Sequence, residues 1–214
     1  MKAFQKSAGF AAIYMAAAYL IGIVFFLFVL DYSNITNAAD KVALLADKHA
    51  IIFATNLLMY VFFGFALVVF CLAVNNLLKE NAPELMQVAT IVGIIWAGSL
   101  IASGMVSNEG IQSTLAIYAQ DPAQAAVAWQ GYETVANGLG NGNGEILGGV
   151  MTLLIGIAGL RSKTMPKILN VLGIVVGSVG ILSLLPPLVD LTGLFGVGQV
   201  VWFIWLGILL IRNR

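Results

Sequence analysis

Long apolar runs, separated by short polar segments, dominate the pattern of the chain. Six of them approach or exceed the roughly 20 residues that a helix needs to cross a bilayer. They predict six transmembrane helices, at about 8–30, 51–74, 86–106, 145–160, 168–185 and 194–211. The pattern therefore predicts an all-α, polytopic membrane protein in which residues 1–214 form a single transmembrane helical bundle.

Composition supports this interpretation, because 60% of the residues are hydrophobic and only 9% are charged. A soluble domain carries about 25% charged residues. The lipid bilayer is thus the first predicted partner. The N-terminal run 8–30 is too long for the apolar core of a signal peptide, so we interpret it as the first span.

Basic residues concentrate at one set of span ends, which predicts the orientation. Six spans place both termini on the same side, and that side carries eight basic residues against Lys41 and Lys48 on the other. Both termini are therefore predicted to be cytoplasmic. The eight are Lys2, Lys6, Lys79, Arg161, Lys163, Lys167, Arg212 and Arg214. The predicted outer side carries eight acids: Asp31, Asp40, Asp47, Glu109, Asp121, Glu133, Glu145 and Asp190.

The longest predicted outer segment, 107–144, contains its own helix signal. The stretch "DPAQ" places Asp121 as N-cap before a proline, and Gly138 is the predicted C-cap. Trp129, Tyr132 and Ala136 share one side at helical spacing. The segment therefore predicts an amphipathic outer-face helix between spans three and four, and its aromatic rings favour anchoring at the membrane interface.

The stretch "VANGLGNGNGEILGG", 135–149, joins this helix to the fourth span. Its glycines indicate a hinge, and Glu145 suits the positive end of the next helix as a cap. Two alternatives stay open: a re-entrant break, and a cation site using Asn141, Asn143 and Glu145. The spacing matches no calcium loop, so no metal is predicted.

Polar side chains inside the spans have two interpretations, an outward-facing pocket or hydrogen bonds that hold the bundle together. His49, Phe53, Asn56 and Tyr60 share one stripe of the second span. The pocket hypothesis predicts a ligand site formed by His49, Asn56, Tyr60, Ser103, Glu109, Glu145 and Gln199.

Catalytic chemistry finds little support in the sequence. His49 is the only histidine, the Walker and dinucleotide fingerprints are absent, and no G-x-S-x-G elbow occurs. We therefore predict no catalytic residue, no cofactor and no enzymatic activity. Zero net charge gives no field to attract nucleic acid. Cys71 is predicted to be a buried thiol.

Small residues recur at close-packing intervals, as in Gly173 and Gly177, and Gly149 and Gly156 lie two turns apart. Such faces let helix backbones approach closely in lipid. They predict tight packing within the bundle, and they leave a homo-oligomer open.

Two stretches resemble a known family, the domain of unknown function 4386 family of bacterial membrane proteins. They are "LRSKTMPKILNVLGIVVGSVGIL", with Arg161, Pro166 and Gly173 as its marks, and the second-to-third span region "ADKHAIIFATNLLMYVFFGFALVVFCLAVNNLLKENAPELMQVATIVGII". The resemblance implies a six-helix bundle in the cytoplasmic (inner) membrane of a bacterium. It brings no activity and no site residue.

Three functional hypotheses follow. The first is a non-catalytic protein that binds or passes a small solute, ion or lipid through an outward-facing polar pocket. The second, nearly level with it, is an assembly or accessory protein of a membrane complex that acts through helix contacts. The third, a membrane-embedded enzyme, rests only on His49 and scattered carboxylates.

Overall fold

A computed structural model describes residues 2–140 and 144–212, and every regular element within them is a helix. Two of the helices contain a wider π-helical stretch. The longer elements are α1 (Lys2–Val24) with its π-helical end (Phe25–Val29), α2 (Ala38–Asn56), a π-helical segment (Leu57–Phe62), α3 (Phe63–Leu78), α4 (Pro83–Tyr118), α5 (Pro122–Leu139), α6 (Ile146–Ser162), α7 (Lys167–Leu182) and α8 (Leu191–Arg212). Two short 3-10 helices cover Tyr32–Asn34 and Pro186–Leu188. The predicted all-α class is confirmed.

Four stretches of helix are long and apolar enough to cross a membrane: Ala3–Val29, Ala38–Leu78, Pro83–Tyr118 and Leu191–Arg212. Helices α6 and α7 are apolar but shorter, at 17 and 16 residues. Many large apolar side chains are exposed on the outside of the bundle; on the first helical stretch, for example, Phe28 is 76% and Phe10 is 63% exposed. Such a surface indicates a lipid environment, since water-facing patches of this kind are rare.

The main core lies where α1, α3, α4, α6 and α8 meet. At its centre five aromatic rings pack edge to face or tilted, with centroids 5.4–6.3 Å apart. They belong to Phe63, Phe70, Trp96, Trp202 and Phe203. Cys71 is buried against Met151, as predicted for a lone thiol in an apolar run.

A second, smaller core lies at one end of the bundle. Its buried members are Phe25, Leu30, Val42, Leu45, Ile52, Ile111, Ala125 and Trp129. It forms where the first part of α2, the last part of α4 and all of α5 pack together. We call residues 30–52, 107–118 and 122–139 the head, and we call this end of the molecule the head end.

The head exists because two helices are longer than a bilayer. The continuous helix Ala38–Leu78 has 41 residues and α4 has 36. At 1.5 Å per residue these extend about 61 Å and 54 Å, against about 30 Å of hydrocarbon. The third apolar run was predicted to end at 106, but its helix continues to Tyr118. The added part of α4 packs against α5 and is partly buried by it. The length of an apolar run does not reveal such a contact.

Helix α5 begins as predicted and ends slightly later. Asp121 Oδ1 accepts hydrogen bonds of 3.0 Å from the backbone N–H groups of Ala123 and Gln124. The C-cap is Gly140, whose N–H donates to Ala136 O at 2.8 Å, so the predicted cap at Gly138 was wrong. Both positions are glycine, and the sequence rule for C-caps does not choose between them.

The side of α5 that was predicted to face the membrane interface is buried. A Cβ on Gly110 of α4 would lie 2.7 Å from Tyr132 Cβ, so the two helices are in close contact. Trp129 and Ala136 are each only 5% exposed. Trp129 and Ala136 therefore pack inside the head, whereas Tyr132 is half-buried.

Helices α6 and α7 make the closest contact in the bundle, through glycines. A Cβ on Gly149 would lie 2.8 Å from the backbone nitrogen of Ile181, and one on Gly177 would lie 2.6 Å from Gly149 O. A Cβ on Gly156 would lie 2.7 Å from Asn170 O. The predicted close packing at small residues is confirmed here, and it fixes the start of α6 against the end of α7.

Candidate ligand-binding cavity

A cavity of about 120 Å³ lies between α1, the π-helical segment, α4 and the start of α6. Its walls combine one carboxyl group and two phenols with apolar side chains. They are formed by Ala18, Tyr19, Met59, Tyr60, Phe63, Leu100, Gly140 and Glu145. For scale, an engineered cavity of about 150 Å³ binds benzene. The space therefore suits a molecule of a few non-hydrogen atoms.

Glu145 is the ionisable acid of this cavity. Its Oε2 is closed off from solvent and has no hydrogen-bond partner among the described residues. The residue occupies the N-cap position of α6, yet its side chain makes no capping hydrogen bond. The predicted role as a helix cap was therefore wrong for the carboxyl group, which contributes to the cavity wall instead.

The backbone around Glu145 is held by the end of α7. The backbone N–H of Glu145 donates to Ser183 Oγ at 3.0 Å, and the Ser183 hydroxyl donates to Gly180 O at 2.7 Å. Gly144 is buried with φ of 125°, a conformation that favours glycine, and a Cβ there would lie 2.7 Å from Leu184 Cα. This close approach leaves no room for a side chain, so the position of Glu145 is determined by its neighbours.

The opposite wall comes from the π-helical segment Leu57–Phe62, which carries Met59 and Tyr60. Side chains of neighbouring helices donate hydrogen bonds to carbonyl oxygens within and just before this segment. Tyr14 donates its hydroxyl to Leu58 O at 2.6 Å, and Asn108 Nδ2 donates to Phe53 O at 3.3 Å. Short π-helical stretches occur frequently at functional sites.

Aromatic packing closes the cavity on the side away from the head. Phe63 forms part of the cavity wall and meets the Tyr19 ring edge to face, with centroids 5.5 Å apart. Beyond Phe63 lie Trp96 and Phe203, at centroid distances of 5.9 and 6.3 Å. The side of the cavity away from the head is thus closed by the rings of Phe63, Trp96 and Phe203, which we call the packed floor.

A second cavity of about 80 Å³ lies within the head and shares Tyr60 with the first. Its polar lining includes Tyr32, Asn56, Ser107, Glu133 and Asn137. Tyr60 therefore stands between a space in the head and the space that contains Glu145.

A polar network fastens α5 to the rest of the head. Lys41 Nζ lies 2.7 Å from Glu133 Oε1, and the Tyr32 hydroxyl donates to the same oxygen at 2.8 Å. Trp129 Nε1 donates to Tyr32 at 3.1 Å. Burial, and then the charge of Glu133, raise the pKa of Tyr32, so its hydroxyl stays protonated and remains a donor. Sequence reasoning missed this cluster, because its members are distant in the chain.

The seven predicted ligand residues do not line one pocket. Tyr60 and Glu145 share the larger cavity, and Asn56 joins Tyr60 at the head cavity. Asn56 Nδ2 also donates to Asn108 Oδ1 at 3.0 Å. Ser103 donates to Ala136 O at 2.8 Å and thus ties α4 to α5.

The other three lie elsewhere. His49 is exposed on α2, with Nδ1 3.3 Å from Ala46 O. Glu109 lines a separate open groove beside α5. Gln199 is fully buried and exchanges hydrogen bonds of 3.1–3.2 Å with Thr152. For Gln199 the alternative interpretation, an interhelical hydrogen bond, is the one that the structure supports.

Sequence reasoning missed two of the residues that line this cavity, and one of its alternatives falls outside the described residues. Tyr19 and Met59 were not predicted as lining residues, although a phenol within an apolar run is a usable signal for the first. Asn141 and Asn143, which the cation-site alternative invoked, lie outside the described residues. Within 2–140 and 144–212, no three His, Cys, Asp or Glu side chains form a group that could hold a metal ion.

The family model described as Domain of unknown function (DUF4386) matches residues 14–209, most of the chain. The chain belongs to the DUF4386 family. Every residue that lines the cavity at Glu145 falls within the matched region, so this cavity belongs to the family domain and not to an added segment. No curated protein and no solved structure matches the chain.

Proposed function

We propose that this DUF4386 protein is a non-catalytic, six-span membrane protein that binds a small solute in the cavity at Glu145, entered from the head end. The observation that carries the proposal is Glu145, which lines the cavity and whose enclosed Oε2 has no hydrogen-bond partner among the described residues. Buried polar groups without partners are costly and rare. A bound solute would supply the missing partner.

The six-span arrangement has two supports. Helices α6 and α7 extend about 25 and 24 Å, close to the thickness of the hydrocarbon layer. The start of α1 meets the end of α8, since a Cβ on Gly9 would lie 2.8 Å from Gly207 O. With the bias of basic residues, this favours both termini on the cytoplasmic side of a bacterial inner membrane and the head outside.

Binding is favoured over free passage by the packed floor. The rings of Phe63, Trp96 and Phe203 fill the bundle below the cavity. Catalysis is disfavoured because the one histidine, His49, is exposed on α2 and does not line the cavity with Glu145. The geometry therefore supports a solute-binding role.

The test fills the cavity and keeps the rest of the protein intact. Ala18 lines the cavity and is 3% exposed, whereas its neighbour Ala17 is exposed on the same helix. Ala18→Met should place a flexible side chain in the space, and Ala17→Met is the matched control on the outer surface. Each variant is purified in lipid nanodiscs, and native mass spectrometry reports any small molecule that stays bound.

We expect wild type and Ala17→Met to retain the same small molecule, and Ala18→Met to lose it. Chromatographic profile and circular dichroism should be equal for the three proteins. Equal retention by the two variants would overturn the proposal, because the molecule would then be bound elsewhere.

A further inference from the structure

We infer that the solute is a small organic cation, a protonated amine with a short apolar body, held between the Glu145 carboxylate and the aromatic rings of the cavity. This inference rests on the proposed function and names the chemical class of its ligand. Four features of the cavity support it independently: the carboxyl group, the rings, the remaining lining and the surrounding charge.

The carboxyl group provides the recognition of charge. An ionised carboxylate that is enclosed without a partner is costly, and a cation at hydrogen-bond distance offsets that cost. An ammonium group donates up to three hydrogen bonds and accepts none. Glu145 lines the cavity, so its carboxylate can accept one of them.

The rings provide a surface that favours positive charge. Tyr19, Tyr60 and Phe63 all line the cavity. Cations are attracted to ring faces within about 6 Å, and aromatic cages are the usual way of binding alkylated ammonium groups. An anionic ligand would meet the same rings and the carboxylate unfavourably.

The remaining walls select an organic cation over a metal ion. Met59, Leu100 and Ala18 offer apolar surface for a short alkyl chain. Calcium requires six to eight oxygen ligands, and magnesium requires a near-ideal octahedral set. The described lining offers one carboxylate and two phenols, which falls short of either set. Among the described residues, no Lys, Arg or His lines the cavity to repel an amine.

The charge of the head end favours cations at longer range. Apart from Glu145, seven acids belong to the predicted outer side, against Lys41 and Lys48. The Lys41 charge is already paired with Glu133 at 2.7 Å. A surface with excess charge of one sign raises the local concentration of the opposite ion and speeds its association. Amines approaching from the head end would therefore be enriched near the cavity.

The experiment compares a cationic probe with a neutral one of the same size. Butylammonium and butan-1-ol are titrated into wild type, Glu145→Gln and Glu109→Gln in nanodiscs, and binding is measured by calorimetry. Glu145→Gln keeps the side-chain volume and removes the charge. Glu109 lies in a separate open groove, so Glu109→Gln is the matched control for a lost carboxylate at the head end.

We expect wild type and Glu109→Gln to bind butylammonium equally and at least about tenfold more tightly than butan-1-ol. Glu145→Gln should lose at least about tenfold in amine affinity, about 1.4 kcal/mol, because hydrogen bonds to charged groups are stronger than neutral ones. Tyr60→Phe should keep amine binding, because the ring remains, and Tyr60→Leu should weaken it. The two Tyr60 variants test the inference even where Glu145→Gln does not fold.

Two results would overturn the inference. One is binding of butan-1-ol as tight as that of butylammonium, and the other is full amine affinity in folded Glu145→Gln. In either case the cavity would bind a solute of another class, and the loss of bound molecule in Ala18→Met would still uphold the proposed function. Equal retention of the bound molecule by Ala18→Met and Ala17→Met would overturn both the proposed function and this inference.

Discussion

Gly149 lies where α6 touches α7, one helical turn after Glu145, and a methyl group there should both destabilise the bundle and disturb the cavity. An added Cβ would lie 2.8 Å from Ile181 N and 2.9 Å from Gly177 O, and ordinary contact begins near 3.4 Å. These are backbone atoms, so the helices must separate by about 0.6 Å, the difference between 3.4 and 2.8 Å. Overpacking of this kind costs about 1–3 kcal/mol.

The same separation acts on the site. The bond from Glu145 N–H to Ser183 Oγ joins the two helices at 3.0 Å. Lengthened by about 0.6 Å, it would no longer be a hydrogen bond. We therefore expect Gly149→Ala to lower both the free energy of unfolding and the retention of bound solute.

The assay is unfolding by sodium dodecyl sulfate in mixed micelles, followed by circular dichroism. Gly98→Ala is the matched control, because a Cβ at Gly98 of α4 meets nothing within 4 Å. It should leave stability unchanged or raise it by up to about 1 kcal/mol, since alanine favours the helix. Equal stability of the two variants would refute the close-contact argument.

Two further predictions concern polar contacts away from the cavity. Lys41→Met should lower the free energy of unfolding by about 1–2 kcal/mol, between the values for exposed and buried ion pairs, because it leaves the partly buried Glu133 unpaired. Lys48→Met is the control: its ion pair with the neighbouring aspartate is exposed, so its loss should cost almost nothing in the same unfolding assay. Gln199→Leu should lower the free energy of unfolding by about 0.6–1.7 kcal/mol, because it removes the hydrogen bonds to Thr152. A double-mutant cycle with Thr152→Val should show that the two effects are coupled, and additive effects of the single variants would contradict this prediction.

Much of the helical framework was predictable because apolar runs and caps are local signals. The Asp121 cap, the buried thiol of Cys71 and the close-packing glycine faces of α6 and α7 all follow from residues close in the chain or from one helix face. The length of α4 did not follow. Residues 107–118 look like the start of an outer loop until α5 folds back along them and buries Ile111.

The candidate site was predictable only in part. A polar residue inside an apolar run marks Tyr60, and a lone carboxylate before a glycine-rich span marks Glu145. His49, Glu109 and Gln199 do not line this cavity: the first is exposed on α2, the second lines a separate groove, and the third is buried against Thr152. Position along a helix indicates a face, but it does not tell which neighbour that face meets.

The sequence by itself determined an apolar, all-helical chain of the DUF4386 family, with its charges at or beyond the ends of the predicted spans. These properties depend on residue type and spacing, which local chemistry controls. Only the tertiary structure decided that Tyr19, Tyr60 and Glu145 share one cavity above a packed aromatic floor. They come from three distant helical segments, and their meeting depends on a π-helical turn at Tyr60 and on the close approach of Gly144 to α7.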